Sequence, residues 1–227
     1  MPVSVKDLAY TYGQGHLLRQ VLKGVSFDVD DGEVAIITGP SGSGKTTLLT
    51  ILGALRSFSH GTVVVNGVSL QGQPTAELLR MRQRIGFVFQ RHNLLKSLPV
   101  IENVESGLHL LAESDPEMNR ARAQAMLKAV GLGDRGDDFP ANMSGGEQQR
   151  VAVARALVRM PDLIIADEPT AALDSKSGRL VADLTRNIAG KLGCAVIVAT
   201  HDERIFDIAD TRLHMEDGRL VKLPLGA

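Results

Sequence analysis

The feature that most constrains this chain is a glycine-rich loop, Gly39-Pro40-Ser41-Gly42-Ser43-Gly44-Lys45-Thr46, set between two different apolar patterns. Before it, residues 33–38 form a short apolar run that predicts a strand. After it, one helical face collects Leu48, Leu49, Ile51, Leu52 and Leu55. A strand that turns through such a loop into a helix brings several N–H groups and the positive end of the helix dipole to one point. The loop therefore predicts a phosphate-binding site in an α/β fold.

The residue types in the loop indicate which phosphate compound binds. Glycines let the backbone approach phosphates without Cβ clashes. Lys45 supplies a mobile charge for the β- and γ-phosphates, and the Thr46 hydroxyl can ligate Mg²⁺. We therefore expect a nucleoside triphosphate with Mg²⁺, held by Gly39, Pro40, Ser41, Gly42, Ser43, Gly44, Lys45, Thr46 and Thr47.

Two acidic residues, Asp167 and Glu168, follow the apolar run Leu163–Ala166. Strand ends in parallel sheets open onto the ligand crevice, so both carboxylates should face the nucleotide. Asp167 fits the Walker B role of holding Mg²⁺. Glu168 is then the candidate general base for the attacking water. The alternative is that the pair only ends a strand in solvent.

The remaining chain reads as an α/β core interrupted by helices. Period-two patterns in the first 35 residues predict antiparallel strands. Residues 91–160 have a mostly helical pattern, including a capping box at 114–117. A helix over 175–192 is predicted, with Leu180, Leu184, Ile188 and Leu192 on its apolar face. Further strands are expected at 61–65, 85–89 and 195–199, and a hairpin at 212–223.

Composition limits the functional classes. The net charge of -1 provides no broad basic field, which argues against nucleic acid as a partner. The single cysteine, Cys194, lies in an apolar run and is expected in the core. No run approaches the roughly 20 apolar residues that span a bilayer, and the N-terminal residues lack a signal-peptide core. We expect a chain that is neither secreted nor membrane-spanning, so that any membrane role needs a partner.

One string narrows the class further: Met143-Ser144-Gly145-Gly146-Glu147-Gln148-Gln149-Arg150. Ser144 and Glu147 have capping-box spacing, and a helix N-terminus after small residues can bind an anion. The string resembles the signature of ATP-binding cassette (ABC) proteins, with Met143 in place of the usual leucine, a nearly volume-conserving change. The resemblance implies that Ser144, Gly145, Gly146 and Glu147 close over ATP held by a second copy of the chain.

Other motifs follow in the order of that family. Tyr12 resembles the aromatic that stacks on adenine, with Tyr10 as the less favoured choice. Gln90 resembles the Q-loop glutamine that senses Mg²⁺ and the lytic water. Asp174, in Ala172-Leu173-Asp174, resembles the D-loop, and His201 resembles the switch histidine at the γ-phosphate. The implied catalytic residues are Glu168, His201, Gln90 and Lys45, and the implied metal ligands are Thr46, Gln90 and Asp167.

The resemblance also implies a fold, an α/β P-loop NTPase of the ABC ATPase type. Its parts are a RecA-like parallel-sheet core, an N-terminal antiparallel β-subdomain and an inserted α-helical subdomain. Residues 1–227 would form a single nucleotide-binding domain. Residues 1–90 and 161–227 would hold ATP, and residues 91–160 would be the helical signature subdomain.

By the same resemblance, the chain is an ATP-hydrolysing transporter subunit. Its strings at 90–95, 144–150 and 170–179 resemble the lipoprotein-release and macrolide-export group, and the last is most similar to DevA-type exporters. The implied substrate is a lipid, lipoprotein or hydrophobic compound. The implied partners are a second copy of the chain and a membrane permease, with a periplasmic adaptor as a further option. The implied location is the cytoplasmic face of the bacterial cell membrane.

Several alternatives stay open at this stage. A cassette that transmits a mechanical signal without transport would have an almost identical sequence. A small-molecule kinase would not need the signature string or the paired acids. A cassette acting on ribosomes or DNA usually carries two cassettes or a long coiled insertion. Finally, the apolar residues Leu94, Leu95, Leu98, Pro99 and Val100 are either a groove for the permease or part of the core.

Overall fold

The computed structural model describes residues 2–13, 17–108 and 115–224 and contains two sheets. The first is antiparallel with the order β2-β1-β4-β5. Its strands are β1 (Val3–Tyr12), β2 (Arg19–Val29), β4 (His60–Val65) and β5 (Val68–Ser69). The pairing of β1 with β2 confirms the antiparallel strands predicted from the first 35 residues.

The second sheet has the order β10-β9-β3-β8-β7-β6. Its strands are β3 (Val34–Thr38), β6 (Ile85–Val88), β7 (Leu163–Asp167), β8 (Ala195–Ala199), β9 (Thr211–Glu216) and β10 (Arg219–Leu223). All neighbours are parallel except the β9–β10 hairpin at the edge. Parallel pairing places the carboxyl ends of β3, β6, β7 and β8 at one edge of the sheet, where the predicted site residues follow.

Side chains of the parallel strands alternate between two cores. In β3, Val34 and Ile36 join one buried cluster, while Ala35 and Ile37 join the other. The strands are therefore apolar at consecutive positions because both faces of the sheet are covered. Helix α1 (Lys45–Leu52) packs on one side, and α6 (Ser175–Leu192) packs on the other.

Helices form within residues 91–160, as predicted, and one further helix, which was not predicted, lies before them. Helix α2 (Thr75–Gln83) precedes β6, and α3 (Val100–Glu105), α4 (Pro116–Ala129) and α5 (Gly145–Leu157) follow it. The last three pack on one another, and α5 also packs on β6. One buried cluster runs from the sheet into these helices, so the helical segment shares a core with the sheet. The boundaries at 90 and 161 remain a proposal.

Two local predictions were wrong. Helix α4 is capped by Asp115, whose Oδ1 accepts from the N–H groups of Glu117 and Met118, and Ser114 lies outside the described residues. In α6, the prediction was wrong for Leu180 and Leu192, which are exposed, but right for Ile188, which is buried, and Leu184 is partly buried. The rest of the buried face is formed by Gly178, Val181, Ala182 and Ala189. Leucine spacing alone did not show which side of the helix the sheet covers.

None of the described helices combines the length and the apolar character that a bilayer crossing requires. Cys194 is buried, as predicted, and burial raises the pKa of its thiol to about 12. This thiol is therefore protonated and unreactive at neutral pH.

Candidate active site

The glycine-rich loop joins β3 to α1 through backbone that other residues adopt rarely. Gly39 has φ of 139°, and a Cβ there would lie 2.0 Å from the Met215 carbonyl oxygen. Gly42 also has positive φ, but a Cβ there would meet no atom within 4 Å. Gly39 thus allows close packing beneath the loop, while Gly42 leaves the backbone open to a ligand. The helix N-terminus at Gly44 adds N–H donors, which makes the loop a cradle for phosphates.

Lys45 and Thr46 begin α1 and point back to the loop and the sheet. Lys45 Nζ donates to the carbonyl oxygens of Gly39 at 2.7 Å and Pro40 at 3.0 Å. Thr46 Oγ1 donates to Asp167 Oδ2 at 2.7 Å, across 121 positions of sequence. The structure therefore brings the loop and the predicted Walker B aspartate together.

Asp167 ends β7 in a buried position. Burial raises the pKa of its carboxyl group, and the hydrogen bond from Thr46 opposes that shift. The Asp167 carboxylate contacts the Thr46 hydroxyl, and Gln90 lines the same cleft. Carboxylate, hydroxyl and amide oxygens are the ligands that Mg²⁺ prefers. Across residues 2–13, 17–108 and 115–224, no three His, Cys, Asp or Glu side chains gather into a metal-binding cluster. These residues fit a Mg²⁺ ion that takes its other ligands from phosphates and water.

Glu168 is held in a backbone conformation unusual for its residue type. Its φ is 50°, and its N–H donates to the Ala199 carbonyl oxygen at 2.8 Å. The carboxylate accepts from Thr200 Oγ1 at 3.1 Å and lies 2.9 Å from His201 Nδ1. The His201 side chain is 75% exposed, whereas that of Glu168 is 11% exposed. The carboxyl ends of the neighbouring strands β7 and β8 thus bring the Glu168 carboxylate and the His201 imidazole into contact.

Asp167 and Glu168 line a cleft of about 470 Å³, whereas Thr200 and His201 are not among its lining residues. The lining includes Ser41, Gly42, Gly44, Lys45, Thr46 and Thr47 from the loop and α1, together with Gln90, Asp167, Glu168, Tyr12, Arg19 and Val21. Of the two tyrosines, Tyr12 lines the cleft, while Tyr10 packs against the core.

Sequence reasoning missed Arg19, Val21 and Thr200. Arg19 reaches the cleft because β2 pairs with β1 so that Tyr12 faces Arg19. Thr200 directly precedes His201, so its position after β8 was a signal that could have identified it.

The signature residues lie away from this cleft. Ser144 caps α5, its Oγ accepting from the Glu147 N–H at 3.3 Å. Glu147 Oε2 in turn accepts from the Ser144 N–H at 2.8 Å, which completes the predicted capping box. Because the N–H and the hydroxyl of Ser144 both donate to the Glu147 carboxylate, the pKa of this carboxyl lies below its usual value, and Arg135 adds to the effect.

Asp174 shares a surface with the signature. It caps α6, accepting from the N–H of Ser177 at 2.9 Å, which lowers the pKa of its carboxyl. A Cβ at Gly146 would lie 3.2 Å from the carbonyl oxygen of Ala172, so the start of α5 and the Ala172–Asp174 segment are neighbours. None of the residues Ser144, Gly145, Gly146, Glu147 and Asp174 lines the cleft formed by the described chain.

Comparisons with known proteins agree with this geometry. Residues 22–171 match the family described as "ABC transporter". The chain is 42% identical over 220 residues to the lipoprotein-releasing system ATP-binding protein LolD 2 of Rhodospirillum rubrum, covering 96% of this chain and 95% of that protein. It is 42% identical to the macrolide export ATP-binding/permease protein MacB of Marinobacter nauticus, covering 97% of this chain and 34% of MacB.

Solved structures show the same fold. The dimeric ATP-binding cassette MJ0796, in a post-hydrolysis state bound to ADP and Pi, matches with a TM-score of 0.93 and 36% identity, covering 99% of both chains. A second dimeric structure of MJ0796, a bacterial ABC transporter cassette, gives a TM-score of 0.94 over the same coverage. The family match spans most of the chain and includes the phosphate loop, the signature and both acids. The chain belongs to the ABC transporter family, as an ATP-binding subunit that hydrolyses ATP.

Proposed function

We propose that this chain powers the export or extraction of a lipid, lipoprotein or other hydrophobic substrate through a separate membrane permease. The observation that supports ATP hydrolysis as the energy source is the hydrogen bond between Thr46 and Asp167. This bond joins the phosphate loop to the two acids, Asp167 and Glu168, at one edge of the sheet. This arrangement combines nucleotide binding with groups suited to activating water.

The residue roles that we propose follow from this geometry. The loop N–H groups and Lys45 bind the phosphates, and Tyr12 supports the adenine. Thr46 and Asp167, with Gln90, would hold Mg²⁺, which supplies charge neutralisation at the phosphates. Glu168 accepts a proton from the attacking water while Thr200 and His201 fix its carboxylate. His201, which is exposed, also reaches toward the γ-phosphate.

We propose that a second copy of the chain completes each site. The support is that Ser144–Glu147 at the start of α5 lie beside the Ala172–Asp174 segment and that none of these residues lines the cleft. A head-to-tail dimer would place this surface over the partner's phosphate loop. The dimeric MJ0796 structures are consistent with that arrangement.

The substrate class has support from the relatives. LolD 2 is named for lipoprotein release and MacB for macrolide export. HrtA of Staphylococcus aureus is named for hemin import, and it is 41% identical over 226 residues, covering 97% of this chain and 99% of HrtA. These compounds share a large hydrophobic part, and we propose the same for the substrate of this chain. The DevA-type resemblance stays a prediction.

We further propose that the permease docks near the start of the helical segment, with the chain on the cytoplasmic face of the bacterial cell membrane. The structure divides the predicted apolar cluster: Val100 is buried, Leu94, Leu98 and Pro99 are half-buried, and Leu95 is 48% exposed. Leu95 is thus the member available for a partner, and Val100 belongs to the core. A periplasmic adaptor remains a further proposed partner.

The catalytic part is tested with Lys45→Ala. Loss of the ammonium should lower phosphate release at least about a hundredfold, as expected when a charge-stabilising donor is removed. Lys191→Ala, at the exposed end of α6, is the matched control and should retain the wild-type rate. Equal rates for wild type and Lys45→Ala would contradict the proposed site.

The transport part is tested by purifying the chain from its native membrane and identifying the protein that accompanies it. We expect a permease, and we expect solubilised lipoprotein or lipid to stimulate ATP hydrolysis by the complex. Stimulation by small polar solutes alone would argue against a hydrophobic substrate.

A further inference from the structure

Arg56 has a set of contacts that catalysis by the acids does not require. Its guanidinium carbon lies over the ring of Tyr12, 4.8 Å from the centroid, and 5.4 Å from that of Tyr10. Arg56 Nη1 donates to the Tyr10 hydroxyl at 3.1 Å, and Nε donates to Thr50 Oγ1 at 3.3 Å. Two hydrogen bonds therefore fix the guanidinium against the aromatic pair.

Tyr12 is anchored from two other directions. Its hydroxyl lies 3.2 Å from Thr47 Oγ1, within hydrogen-bond distance. Its ring meets that of Tyr10 edge-on, with centroids 4.9 Å apart and an interplanar angle of 78°. Thr47 and Thr50 both belong to α1, which begins in the phosphate loop. The ring of Tyr12, on β1, is thus tied to the helix that binds the phosphates.

The Tyr12 ring contacts the guanidinium and also borders the cleft. Tyr12 and Thr47 line the cleft, whereas Arg56 does not. Tyr12 stays 37% exposed with the guanidinium over its ring, so the ring is accessible to a base from the cleft. A cation over an aromatic face is attracted by the ring quadrupole, so it holds the ring in place.

We propose that Arg56 is a positioning residue that sets the affinity for the nucleotide base by fixing Tyr12 relative to the phosphate loop. This inference rests on the proposed binding of ATP in this cleft. Arg56 acts on the base and not on the phosphates, so its removal weakens ATP binding without changing the binding of a ligand that has no base.

The test compares ATP with inorganic tripolyphosphate as ligands of the Arg56→Met variant, which keeps an unbranched stem but loses the charge and both donors. We expect the Kd of ATP to rise about two- to fivefold, as for one exposed cation–π contact. The Kd of tripolyphosphate should stay unchanged, and kcat should stay within about twofold of wild type. Arg56→Lys, which keeps the charge, should restore part of the ATP affinity.

Two controls sharpen the result. Arg80→Met removes an arginine from exposed α2, where it pairs with Glu77, and should alter neither affinity. In a Tyr12→Ala background, Arg56→Met should have no further effect on ATP binding, because the proposed role passes through that ring.

Equal weakening of ATP and tripolyphosphate would overturn the inference, as would unchanged ATP affinity in Arg56→Met or full additivity with Tyr12→Ala. Failure of wild type to bind ATP at all would overturn the proposed function as well. The wild-type titration therefore separates the two failures.

Discussion

At the residue scale, the buried position of Asp167 destabilises the fold but places a carboxylate in the cleft. The carboxyl is buried at the end of β7, and burial raises its pKa above the usual value. A raised pKa means that the folded state binds the proton more tightly than the unfolded state. The free energy of unfolding therefore falls as the pH rises above the pKa that Asp167 has in the unfolded state. The fall is complete once the pH exceeds the pKa in the folded state. The ionised form of Asp167 therefore lowers the free energy of unfolding relative to the neutral form.

We expect Asp167→Asn to have opposite effects on thermal stability and on stabilisation by Mg²⁺. Without nucleotide at neutral pH, the variant should melt at a higher temperature than wild type, since the neutral amide avoids the cost of a buried charge. The further stabilisation that Mg²⁺ gives to the ATP-bound protein should be lost. Thermal melts with ATP in EDTA and with ATP plus Mg²⁺ measure both effects.

Asp162→Asn is the matched control, because Asp162 lies just before the same strand but is exposed and paired with Arg84 at 2.5 Å. It should leave the Mg²⁺-dependent shift intact. A wild-type Mg²⁺ shift in Asp167→Asn would show that Asp167 is not a metal ligand.

The sequence predicted those site residues that follow a strong local pattern. Lys45 and Thr46 follow an apolar strand and a glycine-rich loop, and Asp167 and Glu168 follow another apolar strand. Arg56 and Arg19 have no such pattern. Strand pairing brings Arg19 to the cleft, and packing brings Arg56 against Tyr12, and one sequence does not reveal these contacts between distant segments.

At the element scale, the strands and the cap of α5 were predicted better than the cap of α4 and the buried face of α6. The capping box of α5 needs only Ser144 and Glu147 at the correct spacing, and the structure has both bonds. The buried face of α6 depends on where the sheet lies, and small residues such as Ala182 and Ala189 fill it instead of Leu180 and Leu192. Side-chain size did not identify the buried residues of α6, because several of the residues that face the core there are small.

The cap of α5 allows stability to be separated from function. Ser144→Ala should lower the free energy of unfolding by about 1 kcal/mol through loss of the cap, and should also lower ATP hydrolysis at least tenfold. Asp115→Ala removes the corresponding cap of α4 and should cost a similar free energy while hydrolysis stays near wild type. Chemical denaturation and phosphate release measure the two quantities. If both variants lost hydrolysis equally, Ser144 would have only a structural role.

At the scale of the whole molecule, one chain presents two separate surfaces, and we propose that both serve a single reaction. The cleft holds the phosphate loop, Gln90 and both acids, and the signature lies elsewhere with Asp174. The fold class was predictable because the motif order and the strand patterns agree with each other. The sequence did not show that the helices share a core with the sheet, since that depends on packing between α5 and β6.

The most direct test of this account is the molar mass of Glu168→Gln with and without ATP, measured by light scattering. The amide cannot accept the proton of the attacking water, so ATP should persist between two chains. The mass should rise to twice the 24.3 kDa of one chain when ATP is added, and the rise should vanish in Glu168→Gln combined with Ser144→Arg. A mass that stays at 24.3 kDa while Glu168→Gln holds ATP would contradict the shared site.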